Sequence, residues 1–495
     1  MTNLLQHARA ILDRPSTAPA IEFEHRWHTW GELREIAEAV MQALNASGIA
    51  PNAPVAFVPR NHPAAIAALL GLFAQGRTIR MIYPFQSAEG IASSIARLEV
   101  AAVVMHRQDL APEVLARLTQ DGLAAVVLDG LAPAALEGFE VARAARNRRG
   151  PSLPQVEILT SGTTGPPKQF PLPYAMLEQH FIATHLTRSQ GDDPANAPPF
   201  LLYFPLANIS GLYSTLPMLV RGQRLVLLER FSVAAWHAYV LRYRPVHSGV
   251  PPSCVQQILD ADIPRADLAS IKAMGIGAAP LDPAVQRAFE ERYDIPILLS
   301  YGATEFAGPV AMMTVELHAV WGASKHGSVG RALPGARLQV VDQETGDVLL
   351  PGEQGLLRVV SPRVGPDWIQ TSDIAVLDAD GFLFLKGRAD GAIMRGGFKI
   401  LPESIEAALN RHPAIADSAV VGIADARLGQ VPAAAIRLRP GAADLPVQEL
   451  EAFLRRTLLA TQIPTHWLYV AEIPRNPSLK VDRMALRTLF ESGRK

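Results

Sequence analysis

The chain has 495 residues, of which 49% are hydrophobic and 19% are charged. These proportions fit a globular protein with a large interior and exclude a disordered one, and the length predicts about two to four domains or subdomains. The formal net charge of −1 gives no electrostatic reason to expect a nucleic acid or an anionic membrane as a partner.

The N-terminus, the apolar stretches and the single cysteine indicate the cellular compartment in which we expect the protein. The first residues lack the basic-then-apolar order of a signal peptide, and the longest apolar stretch, from Ala64 to Ala74, is too short to span a membrane. One cysteine, Cys254, excludes an internal disulfide and a cysteine metal cluster. We interpret it as a small buried thiol rather than a nucleophile, and we expect a cytoplasmic protein.

The first two thirds of the chain alternate between strand and helix patterns. Thr29 to Glu32 has the form of a capping box, and apolar residues follow it at helical spacing. Further helices are predicted at 63–74 and 88–98. Strands are predicted at 53–58, 77–82, 101–105, 224–228, 247–250, 271–276 and 295–300. This alternation predicts wound α/β layers with mainly parallel sheets.

The pattern changes after about residue 320. Short segments with Gly and Pro between them, at 335–342, 355–360 and 381–385, predict a small antiparallel or barrel-like subdomain. Near residue 387 a third pattern begins, with helices predicted at 402–410 and 447–458 and strands at 415–421 and 433–438. These form a compact α+β unit of about a hundred residues, large enough to fold alone.

One segment is typical of a phosphate-binding loop. From Thr160 to Lys168 it holds hydroxyl side chains, two glycines and a terminal lysine. Glycines let the backbone approach a ligand, amides and hydroxyls donate to phosphate oxygens, and lysine supplies a positive charge. It is not the G-x-x-x-x-G-K-[ST] loop, because Lys168 follows Pro-Pro and precedes neither Ser nor Thr. A flexible surface loop is the commoner interpretation of such a composition alone.

Four further segments contain candidate functional groups. Ser300 to Glu305 ends an apolar strand, where α/β proteins place ligands, although an ordinary turn is the alternative. The carboxylate of Asp373, in Thr371-Ser372-Asp373, could accept hydrogen bonds from two ribose hydroxyls, or cap a turn. The third segment, 387–403, is rich in glycine and in charged residues. In the fourth, 474–483, Lys480 stands among residues that favour turns, and the alternative is that it is an ordinary solvated surface lysine.

In this order and spacing, the five segments resemble the adenylate-forming superfamily, which includes acyl- and aryl-CoA synthetases, nonribosomal adenylation domains and luciferases. The resemblance extends from the helix after Thr29 to Arg483. It implies a large N-terminal domain of wound α/β subdomains with a small β-barrel-like subdomain, followed by a mobile α+β C-terminal domain. We place these domains at 1–389 and 390–495, with Asp390 as the hinge.

The resemblance also implies a role for each matching residue of the nucleotide site. The loop around the β- and γ-phosphates of ATP comprises Thr160, Ser161, Gly162, Thr163, Thr164, Gly165 and Lys168. Tyr301, followed by Gly302, stacks on adenine. The other face of the ring is covered by Gly277, Ala278, Ala279 and Pro280. Asp373 and Arg388 hold the ribose.

Three further residues act on the reacting groups, again as the resemblance implies. Thr304 contacts the α-phosphate, Glu305 holds Mg²⁺, and Lys480 bridges the α-phosphate and the substrate carboxylate in the first half-reaction. Gly396 and Gly397 line the tunnel for the thiol. Leu479 stands where a glycine normally precedes the catalytic lysine.

The acid pocket departs from the family pattern. It is expected to include Asn208, Ser210 and Gly211, and Ala207-Asn208 replaces the aromatic–histidine pair of many relatives. Relatives that activate amino acids place an aspartate near this point, and this segment has none. We therefore expect an aryl or acyl carboxylic acid and not an α-amino acid.

The resulting prediction is an acid:CoA ligase that uses ATP, Mg²⁺ and CoA and proceeds through an acyl-adenylate. No carrier domain follows Lys495, so we expect a separate acceptor. The alternative is a stand-alone adenylating enzyme that passes the acyl group to the phosphopantetheine of an acyl carrier protein or to another nucleophile. A non-catalytic nucleotide-binding protein is a third possibility, against which the joint presence of Lys168, Glu305 and Lys480 argues.

Overall fold

The computed structural model of the chain describes residues 3–143, 148–160, 168–183, 197–389, 391–395, 398–425, 428–442, 445–458, 460–476 and 480–492. These residues belong to two compact units. One comprises Met1–Val246 and Ala303–Gly308, and the other comprises His247–Gly302 and Pro309–Lys495. Asp390, the expected hinge residue, lies outside the described residues, so both the hinge and the domain boundary at this position stay predictions.

The first unit alternates strands and helices as the sequence predicts. Its strands are β1 (Pro19–Phe23), β2 (Arg26–Thr29), β3 (Val55–Val58), β4 (Ile79–Met81), β5 (Ala102–His106), β6 (Ala124–Asp129), β7 (Ala132–Ala135), β8 (Gln155–Thr160), β9 (Lys168–Pro173), β10 (Phe200–Leu202) and β11 (Leu225–Leu227). Its α-helices are α1 (Asn3–Leu12), α2 (Trp30–Ala46), α3 (Pro63–Ala74), α4 (Ala88–Arg97), α5 (Pro112–Asp121), α6 (Tyr174–Leu177), α7 (Ile209–Arg221) and α8 (Val233–Tyr243).

Two sheets organise this unit. The larger has the order β7-β6-β5-β3-β4-β8-β9, with parallel pairing from β6 to β8 and antiparallel strands at its two edges. The smaller has the order β10-β11-β1-β2. Helix α3 is buried along its whole length, which explains its uniformly apolar sequence. The capping box predicted for α2 is present, with Thr29 and Glu32 bonded reciprocally.

The second unit begins with α/β structure and ends with an α+β region. Its strands are β12 (His247–Gly249), β13 (Ala273–Ile276), β14 (Ile297–Ala303), β15 (Gly308–Met312), β16 (Arg331–Ala332), β17 (Arg337–Val341), β18 (Gln354–Val360), β19 (Ile369–Leu377), β20 (Leu383–Arg388), β21 (Ile393–Arg395), β22 (Phe398–Ile400), β23 (Ile415–Asp425), β24 (Gly429–Leu438) and β25 (His466–Tyr469). Its α-helices are α9 (Pro252–Asp260), α10 (Pro283–Tyr293), α11 (Val315–Trp321), α12 (Pro402–Leu409), α13 (Val447–Leu454) and α14 (Arg483–Ser492).

Three sheets organise the second unit. Strands β12, β13 and β14 are parallel neighbours in the order β12-β13-β14-β15-β16. The sheet β17-β18-β19-β20 is entirely antiparallel, as expected for the small subdomain. The last sheet has the order β22-β21-β24-β23, with β25 beside β24. Apolar side chains of α12 and α13 pack with the sheet in one buried cluster, and those of α14 pack with it in another. The predicted α/β fold class is confirmed.

The apolar stretch from Ala64 to Ala74 and the single cysteine are both buried in the fold. Within the described ranges, no helix is both long enough and apolar enough to cross a bilayer. Cys254 is buried, and burial raises the pKa of its thiol to about 11. A thiol with a raised pKa is protonated at neutral pH and is a poor nucleophile, in agreement with the structural role expected for it.

Candidate active site

Two predicted nucleotide-binding segments lie at the ends of neighbouring parallel strands in the second unit. Gly277 to Pro280 follow β13, while Tyr301 and Gly302 are near the end of β14. The two strands approach closely here, because a Cβ atom added to Gly277 would lie 2.4 Å from the hydroxyl oxygen of Ser300. A larger residue would fit at this position only if the hydroxyl of Ser300 rotated away. The fold therefore brings together the two segments expected on either face of adenine, at the carboxyl edge where such sheets bind ligands.

A hydrogen-bonded group connects Tyr301 to the antiparallel subdomain. The hydroxyl of Tyr301 donates to Oδ2 of Asp373, and Nη1 of Arg388 lies 3.5 Å from Oδ1 of the same carboxylate. Asp373 on β19 and Arg388 on β20 are directly paired in the antiparallel register. Nη2 of Arg388 also donates to the hydroxyl oxygen of Ser372. We call Tyr301, Ser372, Asp373 and Arg388 the Tyr301 cluster.

The electrostatics of the Tyr301 cluster follow from its burial. Tyr301 is 8% exposed, and burial, followed by the neighbouring carboxylate of Asp373, raises the pKa of its phenol far above the ordinary value. The phenol is therefore a hydrogen-bond donor at any physiological pH. It orients the carboxylate, whose side chain is 18% accessible. Since a carboxylate accepts at about four lone-pair positions, Asp373 can accept further hydrogen bonds from a ligand's hydroxyls.

The residues expected at the α-phosphate and the metal lie on a short turn of the first unit. Thr304 and Glu305 belong to the 3-10 turn Thr304–Phe306, where Glu305 is exposed. This turn lies against β8. Thr160, which ends β8, pairs with Lys168, which begins β9. The residues from Ser161 to Gly165 lie outside the described ranges, so the structure gives the base of the expected phosphate loop and its neighbouring turn.

The expected acid-pocket residues begin helix α7 in the first unit. Asn208 occupies the N-cap position in extended conformation, but its side chain does not cap the helix. Ser210 and Gly211 are in the first turn. A Cβ atom added to Gly211 would lie 2.1 Å from the carbonyl oxygen of Pro205, which explains why glycine is required there.

A buried asparagine holds the segment that leads into this helix. Asn61, 1% exposed, donates from Nδ2 to the carbonyl oxygens of Phe204 and Leu228, at 3.1 Å each, and accepts at Oδ1 from the backbone N–H of Leu206 at 3.2 Å. The sequence analysis missed Asn61. A polar residue two positions before an entirely apolar helix was the feature that could have identified it.

The expected catalytic lysine lies on a closed hairpin of the second unit. Arg475 and Val481 form an antiparallel bridge, and the N–H of Asp482 donates to the carbonyl of Pro474 at 2.9 Å. Lys480 is exposed. We call the described residues at the base of this loop, 474–476 and 480–482, the Lys480 hairpin. Residues 477–479, which include the unusual Leu479, lie outside the described ranges.

The expected thiol-tunnel glycines, Gly396 and Gly397, also lie outside the described residues. Arg395 and Phe398, on either side of them in the sequence, are paired across the antiparallel strands β21 and β22. The guanidinium of Arg395 donates to the carbonyl oxygens of Thr461 and Ile463. Arg395 thereby connects β21 to the segment that precedes β25.

Comparison with known proteins identifies a family. Residues 8–366 match the family model described as AMP-binding enzyme, and residues 404–480 match the model described as AMP-binding enzyme C-terminal domain. A sulfoacetate–CoA ligase of Cupriavidus necator is 31% identical over 354 residues, which cover 68% of this chain and 67% of that protein.

Two solved structures match over almost the full length. ATP-bound MatB from Rhodopseudomonas palustris is 22% identical, with a TM-score of 0.82 and complete coverage of both chains. At that identity, the match shows the fold. The amide bond synthetase McbA from Marinactinospora thermotolerans is 26% identical, with a TM-score of 0.78 and coverage of 98% of this chain and 99% of that one.

Proposed function

This chain belongs to the AMP-binding family of adenylate-forming enzymes, and on that premise we propose that it joins a carboxylic acid to the thiol of CoA in two steps. The acid first attacks the α-phosphorus of ATP, releasing pyrophosphate and forming an acyl-adenylate. The thiol then displaces AMP. The observation that carries the proposal is the Tyr301 cluster, in which strands β14, β19 and β20 together orient the carboxylate of Asp373. We assign this carboxylate to the ribose of the nucleotide.

The first step needs cations, because ATP and the carboxylate are both anions. At an effective dielectric of about 20, each unlike charge pair at ~4 Å contributes roughly 4 kcal/mol. We assign Lys480 to the α-phosphate and the substrate carboxylate, and Lys168 to the outer phosphates. Thr304 donates to the α-phosphate. These groups offset the repulsion between the reactants and stabilise the charge that develops in the transition state.

Glu305 fits the expected role at Mg²⁺. This ion typically uses one or two protein carboxylates and completes its shell with phosphate oxygens and waters. Glu305 is an exposed carboxylate on a turn beside β8, the strand that leads into the expected phosphate loop. Mg²⁺ bound there would neutralise part of the phosphate charge.

We assign the second step to CoA, supported by the similarity to a sulfoacetate–CoA ligase. In this assignment Gly396 and Gly397 line the thiol's path, and the C-terminal domain, 390–495, turns about Asp390 between the steps. A second acceptor class is favoured by the similarity to an amide bond synthetase. In that case an amine, or the phosphopantetheine thiol of an acyl carrier protein, replaces CoA after the same first step.

The acid is proposed to be an aryl or acyl carboxylic acid without an α-ammonium group. Asn208 at the start of α7 replaces the histidine of many relatives, and the segment offers no aspartate to pair with an ammonium. Asn208 presents an amide, which can donate and accept hydrogen bonds. We therefore expect an acid with a polar substituent within reach of this amide.

Acid-dependent pyrophosphate release tests the proposal. The purified chain is incubated with ATP, Mg²⁺ and a panel of aryl, short acyl and sulfonated acids, with and without CoA. We expect release with one class of acid, and acid–CoA product when CoA is present. Release without thioester, but with an amide when amines are added, supports the second acceptor class. If no acid releases pyrophosphate, the enzymatic proposal is wrong.

A further inference from the structure

Asn476 bonds both main-chain polar groups of Lys480. The backbone N–H of Asn476 donates to the carbonyl oxygen of Lys480 at 2.7 Å, and the side-chain Oδ1 of Asn476 accepts from the backbone N–H of Lys480 at 3.1 Å. The first of these bonds is available to any residue except proline. The second needs a short side chain with an acceptor oxygen at this position.

The surroundings of Asn476 fix the two ends of the Lys480 hairpin. On one side, Nη2 of Arg475 lies 2.6 Å from Oδ2 of Asp417 on β23. On the other, Oδ1 of Asp482 accepts from the backbone N–H groups of Met484 and Ala485, at 3.1 and 2.9 Å, and so caps α14. Both anchors act beyond the ends of the loop. The Asn476 side chain acts inside it, on the backbone of the lysine itself.

We propose that Asn476 is a positioning residue for Lys480 in the adenylation step. The proposal rests on the role assigned above to Lys480. Lys480 is exposed, and a lysine side chain has four rotatable bonds, so the reach of its ammonium depends on where the backbone holds its Cα atom. A displacement of about 1 Å in a positioned group can reduce a rate by roughly a hundredfold. Fixing the N–H and the carbonyl of Lys480 restrains that displacement.

The side-chain hydrogen bond can be separated from the rest of the hairpin by substitution. Asn476→Asp keeps an acceptor oxygen of the same length, whereas Asn476→Ala removes it and Asn476→Gln moves it further from the backbone. Lys480→Ala and the double variant Asn476→Ala/Lys480→Ala complete the set. Each protein is assayed for acid-dependent pyrophosphate release and, separately, for thioester formation from supplied acyl-adenylate.

We expect Asn476→Ala and Asn476→Gln to reduce the kcat of adenylation roughly fivefold to tenfold, as loss of one hydrogen bond would. The KM for ATP and thioester formation from acyl-adenylate should not change, and Asn476→Asp should be close to the wild type. The double variant should be no slower than Lys480→Ala, because Asn476 acts only through Lys480.

Three results would overturn the inference: equal losses in both half-reactions, additive losses in the double variant, or an Asn476→Asp variant as slow as Asn476→Ala. If Asn476→Ala does not fold, Asn476→Gln is compared with Asn476→Asp by the same criteria. Failure of the wild-type chain to release pyrophosphate contradicts the proposed function instead, so the two failures are distinct.

Discussion

The Tyr301 cluster and the Lys480 hairpin belong to the same unit but hold their functional groups differently. In the Tyr301 cluster the side chains bond to one another, and the carboxylate of Asp373 is oriented by a buried phenol. In the Lys480 hairpin the lysine is exposed, and Asn476 forms hydrogen bonds with its main chain. The bonds of the first arrangement fix side-chain atoms before a ligand arrives, whereas the bonds from Asn476 fix the main chain at the base of a long side chain.

This difference suggests different tasks. An oriented carboxylate suits a ribose, and in the role proposed for Asp373 it would be needed in both half-reactions, because ATP and the acyl-adenylate both carry one. A lysine held at its base suits a group that is needed in one step and withdrawn for the other. The following variants test this distinction, from the largest expected effect to the smallest.

Lys480→Ala should have the largest effect, and in one half-reaction only. We expect adenylation to fall by roughly a thousandfold, because a cation that stabilises transition-state charge is lost, while thioester formation from supplied acyl-adenylate continues. Single-turnover assays of each step measure the two rates. Equal losses in both steps would refute a role confined to adenylation.

Asp373→Ala should weaken both half-reactions. Removing the carboxylate leaves Arg388 and the buried phenol of Tyr301 without their shared partner. We expect the KM for ATP and the KM for supplied acyl-adenylate each to rise roughly thirtyfold or more, as for loss of charged hydrogen bonds. Asp373→Asn, which keeps an acceptor oxygen, is the matched control and should lose less. An unchanged KM for acyl-adenylate would show that the carboxylate of Asp373 is not needed in the second half-reaction.

Asp390→Pro should impair the second step alone. Proline fixes φ and removes a backbone N–H, which stiffens the expected hinge. We expect adenylation within about twofold of the wild type and thioester formation lower by roughly tenfold, since closure steps often limit turnover. Asp390→Ala controls for loss of the carboxylate. Normal overall turnover in the proline variant would contradict the two-conformation scheme.

Ser372→Gly should have a smaller effect, confined to nucleotide affinity. It removes the hydroxyl that accepts from Nη2 of Arg388. We expect the KM for ATP to rise about threefold with kcat unchanged, and Ser372→Thr to restore it in part. A change in kcat without a change in KM would show that the hydroxyl acts elsewhere.

The pH dependence of local stability should have opposite signs in the two units. Burial raises the pKa of Glu406 on α12 to about 7, so the folded state holds more protons than the unfolded state, and this contribution to stability is lost as pH rises towards 7. In the first unit, burial lowers the pKa of His62 to about 4 and of His106 to about 3. The unfolded state then binds more protons, and stability is lost as pH falls below about 6.5.

Amide hydrogen exchange measures this difference region by region. As the pH rises from 5 to 7, the protection of backbone amides from exchange should decrease around α12 and increase around α3. Glu406→Gln and His62→Gln should flatten the respective dependence. If protection changed in the same direction in both regions, the buried environment of either Glu406 or His62 would be contradicted.

The order of elements was predictable because it depends on local sequence, as for helix α3, which was expected from a continuous apolar run. The roles of Gly277, Tyr301 and Asp373 at a nucleotide came from the resemblance to the adenylate-forming superfamily, and they stay predictions. Asn61, Ser372 and Asn476 were not predicted. Asn61 and Ser372 act on groups that only the folded chain brings near, the carbonyl of Leu228 and the guanidinium of Arg388. Asn476 is only four residues from Lys480, but it bonds the main chain of that lysine, and such a bond does not depend on which residue follows.

Asn61 holds the segment that leads into α7, and this affects how readily the protein could change the acid that it uses as a substrate. Asn61 bonds only main-chain atoms of the segment Phe204 to Leu206, so the path of the chain does not depend on the side chains that follow. Gly211 is excluded from change by its contact with Pro205. Ala207 is constrained too, because it is buried in the apolar core. Substitutions at Asn208 and Ser210 should therefore change the substrate range on an unaltered scaffold, both in directed evolution and in natural divergence.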